Sequence, residues 1–307
     1  MTDYTRLRAL MGERLKLNES LARYTVARLG GPADALVTAE SAVLLAEITA
    51  LAWAFGWPTR ILGGGANVLV SDQGYRGLIV INNARETRVD EDGTVTAESG
   101  ASLNHLARQT MSRGLAGFEW GVSVPGTLGG AIVNNAGAHG GDMAGCLASA
   151  DVAFPGRRET WSLSDMNYAY RESALKRRSE PFVVLSGTLQ LKPGHDPAEL
   201  QARADGFIAH RKGTQPPGAS LGSMFKNPPG DYAGRLIEAA GLKGTKIGCV
   251  MVSPIHANFF VNAGQGTAAD YLALIRLAQQ TVHEKFGIAL ELEVELLGEG
   301  FGPVEAS

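Results

Sequence analysis

A chain of 307 residues that is 45% hydrophobic can bury more than one core, and 31 acidic against 28 basic residues give a formal charge of -3, so no overall basic field draws it to nucleic acid or acidic lipid. Its start, MTDYTRLRAL, lacks the apolar stretch of a signal peptide, and no apolar run reaches the roughly 18 to 20 residues of a membrane helix. The expectation is a soluble, cytoplasmic protein of two or three domains, with small molecules or other proteins as partners.

In chain order, residues 42–55 (AVLLAEITALAWAF) predict an apolar helix, and after Pro58 a β-like run, 59–62, enters a glycine triplet. Two further β-like runs, 68–70 and 78–81, flank the turn SDQGYRG and complete a first α/β unit. From about 83 the pattern changes to short strands and turns: 94–97, a helix near 102–113, a glycine-rich stretch at 114–141, then alternating segments at 149–162, 182–185 and 188–191. KPGHDP, 192–197, reads as a linker. Beyond it the pattern predicts a helix over 198–212, a turn at Pro216 and Pro217, and a helix over 232–240 that starts from Asp231 and stops at Gly241. The last helix, 269–286, carries Tyr271, Leu274, Ile275, Ala278, Val282 and Phe286 on one face with Gly287 as its stop, and a strand over 288–297 closes the chain. The resulting division is 1–82, 83–195 and 196–307.

Glycine is the compositional outlier: 39 of 307 residues is about 13%, against a usual share of about 7%. No GxGxxG joins a strand to a helix, and no Walker pattern occurs. The block Gly63-Gly64-Gly65-Ala66-Asn67 can be a tight turn, or a nest of backbone N–H groups that faces an anion. In a second block, Gly126, Gly129 and Gly130 permit close approach while Thr127, Asn134 and Asn135 offer side-chain donors. Two such blocks in one half of the chain point to a large phosphorylated cofactor. Cys146 and Cys249 have no metal or CxxC spacing and are expected to be reduced and buried. None of the six histidines has paired metal spacing, so no metal site is expected, and His256 is expected to order a buried turn.

The segment LGSMFKNP, 221–228, raises the question of whether Ser223 caps a helix or carries chemistry. Pro228 and Pro229 come too soon for a helix that begins at 224, and Gly222 leaves room beside the hydroxyl. Near the end of the chain Glu291, Glu293 and Glu295 alternate with Leu290, Leu292, Val294 and Leu296, which reads as a solvated acidic face that does not distinguish the three glutamates.

Seven motifs in order, RLGGPA (28–33), LGGGANVLV (62–70), PGTLGG (125–130), NNAG (134–137), YRES (170–173), GSMFKNP (222–228) and HANFFVN (256–262), resemble the UDP-N-acetylenolpyruvoylglucosamine reductase (MurB) family across nearly the whole chain. The resemblance implies an α+β protein: an FAD-binding fold of the vanillyl-alcohol oxidase (PCMH) type in two subdomains, plus a C-terminal α+β substrate-binding domain. It further implies that NADPH reduces FAD, and that the flavin then reduces the enolpyruvyl ether of UDP-N-acetylglucosamine to UDP-N-acetylmuramate for peptidoglycan synthesis. The implied FAD contacts are Gly63 to Val68, Pro125, Gly126, Thr127, Gly129, Gly130, and Asn134 to Gly137, including Ala136.

The same resemblance assigns catalysis to three residues. Arg171 faces the substrate carboxylate, Glu293 helps stabilise the enolate-like intermediate, and Ser223 donates a proton to C2, with Tyr170, Lys226 and Asn227 at the substrate. Two departures stand out. Glu295 occupies a position where the family often has arginine. The chain also runs directly from 189–197 into a helix, as in the shorter subclass without a tyrosine-bearing loop, which leaves residues near Arg211 and Gln215 to cover UDP. An alcohol oxidase of the same superfamily and a non-catalytic nucleotide-sugar binding protein are the alternative readings; the first shares the cofactor loops but not SMFKNP and LEVE.

Overall fold

The computed structural model describes residues 3–301. The chain forms two compact units, each assembled from separate stretches. The first takes in the chain to Lys16, Leu36–Gly64 and Gly77–Arg211, and the second Leu17–Ala35, Gly65–Arg76 and the chain from Lys212.

In the first unit the helix Ala42–Ala54 begins where the Ser41 side chain accepts from Leu44 N–H. The strand Thr59–Leu62 then pairs in parallel with residues 78–81. The larger sheet is antiparallel and five-stranded, in the order Arg157–Ser162, Leu147–Phe154, Val183–Gln190, Thr94–Glu98, Thr87–Val89. Its third strand is continuous where the sequence suggests a break. Gly187 is the reason: a Cβ there would come within 2.6 Å of Ile132 Cδ1, so this glycine admits the helix Leu128–Asn134 against the sheet and makes no turn. Phe118, Trp120, Leu128, Ile132 and Leu189 belong to the core beneath. KPGHDP is no free linker: Ala116 and Lys192 exchange both backbone hydrogen bonds at 2.8 and 2.9 Å. The helix Pro197–Thr214 that follows belongs to the first unit as far as Arg211.

The second unit is built on the helix Ala268–Phe286. Thr267 and Asp270 form a capping box at its start and Gly287 ends it in the left-handed region. The Asp72 carboxylate accepts from Ala268 and Ala269 N–H at 2.9 and 3.0 Å. A four-stranded antiparallel sheet runs Ala219–Ser223, Phe259–Asn262, Val250–Val252, Lys246–Ile247, and Phe225, Phe260, Tyr271 and Ile275 fill the core with it. The helix Ala233–Ala239 takes Tyr232 as its N-cap, one residue later than expected. The closing strand is also shorter than the alternation predicts. Only Glu295–Leu297 is regular strand, parallel to Val68–Val70, because the residues before it bond to a different partner.

Both cysteines are free; Cys146 is buried as expected, but Cys249 is exposed. Burial first, and then the Asp142 charge, push the Cys146 thiol up to about 12. Among the described residues no helix is long and apolar enough to cross a membrane.

Candidate active site

Ser223 ends the strand Ala219–Ser223, which opposes Phe259–Asn262. The register pairs Ser220 with Val261 and Ser223 with Phe259, so three steps along one strand match two along the other, which is a bulge. Gly222 stands in that bulge at φ +77°, with nothing within 4 Å of where a Cβ would be. Its glycine therefore has a backbone reason in addition to leaving room beside the hydroxyl. No helix begins at Ser223; the next one starts at Ala233.

Beyond Ser223 the chain lies along residues 291–293. Glu293 N–H donates to Met224 O at 2.9 Å and Lys226 N–H to Glu291 O at 2.8 Å, on either side of a bridge between Phe225 and Leu292. Glu293 also accepts at its carbonyl from Asn67 Nδ2 at 3.0 Å, and Glu295 N–H donates to Asn67 O at 3.0 Å. Asn67, expected at the cofactor, thus ties the end of the glycine loop to the glutamate segment. The three glutamates that periodicity left equivalent now separate. Glu291 and Glu295 are exposed, whereas Glu293 is half-buried at the point where the chain exchanges one strand partner for another. Glu291 pairs with Lys226 Nζ at 2.5 Å. The Asn227 side-chain oxygen accepts from Ala233 N–H at 3.1 Å and so helps start the following helix.

Arg171 lies in the first unit at the tip of a tight turn. Ala169 and Glu172 exchange both backbone hydrogen bonds at 3.1 Å, which leaves Tyr170 and Arg171 as the loop, and Arg171 takes φ +56°. A left-handed arginine is strained backbone that only its surroundings maintain. Those surroundings are specific: Arg171 Nη2 donates to Gly137 O at 3.2 Å, Lys176 Nζ donates to Arg171 O at 3.0 Å, and the guanidinium carbon is 5.2 Å from the centroid of the Tyr170 ring. Ser173, fully buried, anchors the turn through Val133 O at 2.6 Å. Tyr170 itself is 53% exposed, which leaves it open to a ligand.

Within the first unit Gly63 and Gly64 meet the second glycine block. A Cβ on Gly63 would lie 2.3 Å from Thr127 Oγ1, and one on Gly64 would lie 3.3 Å from Gly126 Cα. Gly64 and Gly130 are exposed, a Cβ on Gly126 would meet nothing within 4 Å, and Thr127 makes no cap bond to the helix it precedes. Bare backbone from two loops and a threonine hydroxyl make a donor set suited to a pyrophosphate. Other members of the blocks are glycine for internal reasons. A Cβ on Gly65 would lie 2.0 Å from Tyr24 O, one on Gly129 2.9 Å from Ser99 Cβ, and one on Gly137 2.5 Å from Gly141 O. Asn134 donates to Gly130 O at 3.0 Å. Asn135 uses both ends of its amide on Ala169 O and Ala144 N–H, each at 3.1 Å, and thereby holds the turn that carries Arg171.

Sequence reasoning missed a cluster around His139. Its ring stacks on Phe207 with centroids 4.3 Å apart, and its Nε2 is 3.0 Å from Ser123 Oγ. Burial, then the neighbouring His210 and Arg211, hold its imidazole below the ordinary value. Arg211, expected to help cover the nucleotide from the C-terminal domain, lies in the first unit and donates to Ser123 O. His256 orders its turn, with Nδ1 accepting from Asn258 N–H at 3.2 Å, but the turn is not buried as expected: Pro254 and Ile255 are exposed.

Comparison with known proteins adds to this geometry. Residues 33–156 match the family model described as FAD binding domain, and residues 214–297 match UDP-N-acetylenolpyruvoylglucosamine reductase, C-terminal domain. The UDP-N-acetylenolpyruvoylglucosamine reductase of Chloroflexus aggregans is 45% identical over 295 residues, covering 92% of this chain and 97% of its own length. That of Rubrobacter xylanophilus is 44% identical over 286 residues, with 92% and 95% covered. The crystal structure of the Thermus caldophilus enzyme superimposes with a TM-score of 0.78 at 35% identity, covering 92% of this chain and 98% of that one.

Proposed function

We propose how the chemistry of this chain, which belongs to the UDP-N-acetylenolpyruvoylglucosamine reductase family, is divided among its residues. The chain is an FAD-dependent oxidoreductase with NADPH as reductant, and it reduces UDP-N-acetylglucosamine enolpyruvate to UDP-N-acetylmuramate in peptidoglycan precursor synthesis. The chain matches an FAD binding domain and the family's C-terminal domain, which supports the expected FAD-binding fold of the vanillyl-alcohol oxidase type. NADPH and a UDP-sugar are both cytoplasmic metabolites, which supports the expected location.

The chemistry that FAD supplies when bound is hydride relay, from NADPH to C3 of the enolpyruvyl group. Gly63, Gly64, Gly126, Gly130 and Thr127 would hold its pyrophosphate through bare backbone and one hydroxyl. An enol ether is electron-rich and accepts hydride only when its carboxylate draws charge away. Arg171 presents a permanently charged planar fork for that carboxylate. Glu293 stabilises the enolate-like species, and Ser223 gives the proton to C2. A neutral hydroxyl is sufficient because the acceptor is strongly basic. Tyr170 and Lys226 contact the substrate.

The observation that carries this division is the pairing of the Ser223 and Glu293 segments. Glu293 N–H bonds to the carbonyl next to Ser223, and of the alternating glutamates Glu293 alone is half-buried. Glu291→Gln, Glu293→Gln and Glu295→Gln test it side by side. Only Glu293→Gln is expected to slow substrate reduction, by about 100-fold; a comparable loss at Glu291 or Glu295 contradicts the assignment.

A further inference from the structure

On one side the segment that follows Ser223 is held by one buried residue, through its backbone and its side chain. Asn258 is 3% exposed and its backbone carbonyl accepts from Met224 N–H at 2.7 Å. One step further the sheet ladder would require backbone opposite Phe225. The Asn258 side chain takes that place: its Oδ1 accepts from Phe225 N–H at 2.9 Å and its Nδ2 donates to Phe225 O at 2.8 Å. The amide therefore imitates a peptide group and adds a rung to the ladder beyond Ser223↔Phe259. On the opposite edge, Met224 O and Lys226 N–H bond to Glu293 and Glu291.

Residues 224–226 are thus bonded on both edges, with Asn258 on one and the Glu293 segment on the other. This rung lies just beyond the bulge at Gly222. A left-handed glycine immediately before Ser223 interrupts the ladder, which resumes at Ser223↔Phe259 and continues beyond it through Asn258.

We propose that Asn258 is a positioning residue for the reaction, fixing Phe225 so that Ser223 and Glu293 are presented in one register. The proposal rests on Ser223 being the proton donor. Asn258→Asp keeps the size and one acceptor but faces the Phe225 carbonyl with a carboxylate oxygen; Asn258→Ser removes both bonds without adding charge.

Anaerobic stopped-flow on the FAD-loaded protein separates the two half-reactions. Both variants are expected to keep flavin reduction by NADPH within about twofold while slowing reoxidation by the enolpyruvyl substrate by about 10- to 100-fold, the scale of a misplaced catalytic group. The solvent deuterium effect on reoxidation should rise, because proton delivery becomes limiting. Hydrogen exchange of residues 221–227 should quicken in Asn258→Ser.

Combining either variant with Ser223→Ala should add nothing to the loss from Ser223→Ala alone. Normal reoxidation in both Asn258 variants overturns the proposal, and so does an equal loss in both half-reactions or a loss of folded, FAD-loaded protein in both, since these mark a purely structural residue. Unchanged reoxidation in Ser223→Ala alone overturns the donor assignment instead, which keeps the two failures distinct.

Discussion

Arg171 and the Ser223–Glu293 pair are held by opposite means. Arg171 sits at φ +56° on the tip of a turn and is kept there by anchors around it: Asn135 on Ala169, Ser173 on Val133, and Lys176 on its own carbonyl. Ser223 and Glu293 lie on segments whose backbone groups are bonded in register, with Asn258 and Asn67 completing the ladder. A strained tip projects a long side chain, the one proposed to reach the substrate carboxylate. A satisfied ladder fixes short groups that have no reach of their own. The difference shows where each site is vulnerable: a residue on the tip can change at little cost to the fold, while the ladder is sensitive at its bulge.

The largest loss should come from Ser223→Ala, with steady-state turnover down by about 10² to 10⁴, the usual worth of a positioned proton donor. Arg171→Asn should follow at about 10² to 10³, as for other lost electrostatic stabilisers. Asparagine tolerates left-handed backbone, so the melting temperature of this variant should not fall. A clear drop would show that the guanidinium holds the turn and erase the contrast with the ladder. Gly222→Ala places a Cβ at φ +77°, and although the space is open, it should cost about 1 kcal/mol in chemical denaturation and slow substrate reduction about tenfold.

The smallest effect is on pH dependence. Burial, then Lys243, hold His256 below its usual value, and burial, then His210 and Arg211, do the same to His139. Both folded imidazoles bind a proton less readily than in the unfolded chain. Stability from this source is therefore complete above about pH 6.5 and is lost as pH falls through the folded values. His256→Asn keeps an acceptor without the titration and should flatten the acid limb of a denaturation profile beside the ladder.

Much of this was legible in the sequence. The glycine blocks declared close approach, and the structure shows Gly63 and Gly64 packed on Thr127 and Gly126. The helix over 42–54 follows from its apolar run, and that over 268–286 from the periodicity of its apolar face and its terminal glycine. What stayed hidden depended on long-range partners. Alternation suggested one strand over 288–297, but 291–293 bonds to 224–226 while 295–297 pairs with 68–70, and Glu293 sits half-buried at that exchange. The φ of Arg171 leaves no local trace, because arginine is not the residue a left-handed position selects. Asn258 inside HANFF resembles any turn asparagine until its amide is seen opposite Phe225. Cys249 is exposed although free cysteines are usually buried, a position decided by tertiary packing.

The most direct test of the proton-donor assignment follows the two half-reactions of Ser223→Ala separately under anaerobic conditions. Flavin reduction by NADPH should stay within about twofold of the parent, and reoxidation by UDP-N-acetylglucosamine enolpyruvate should slow by at least about 100-fold. Equal losses in the two half-reactions, or reoxidation at the parental rate, would contradict it.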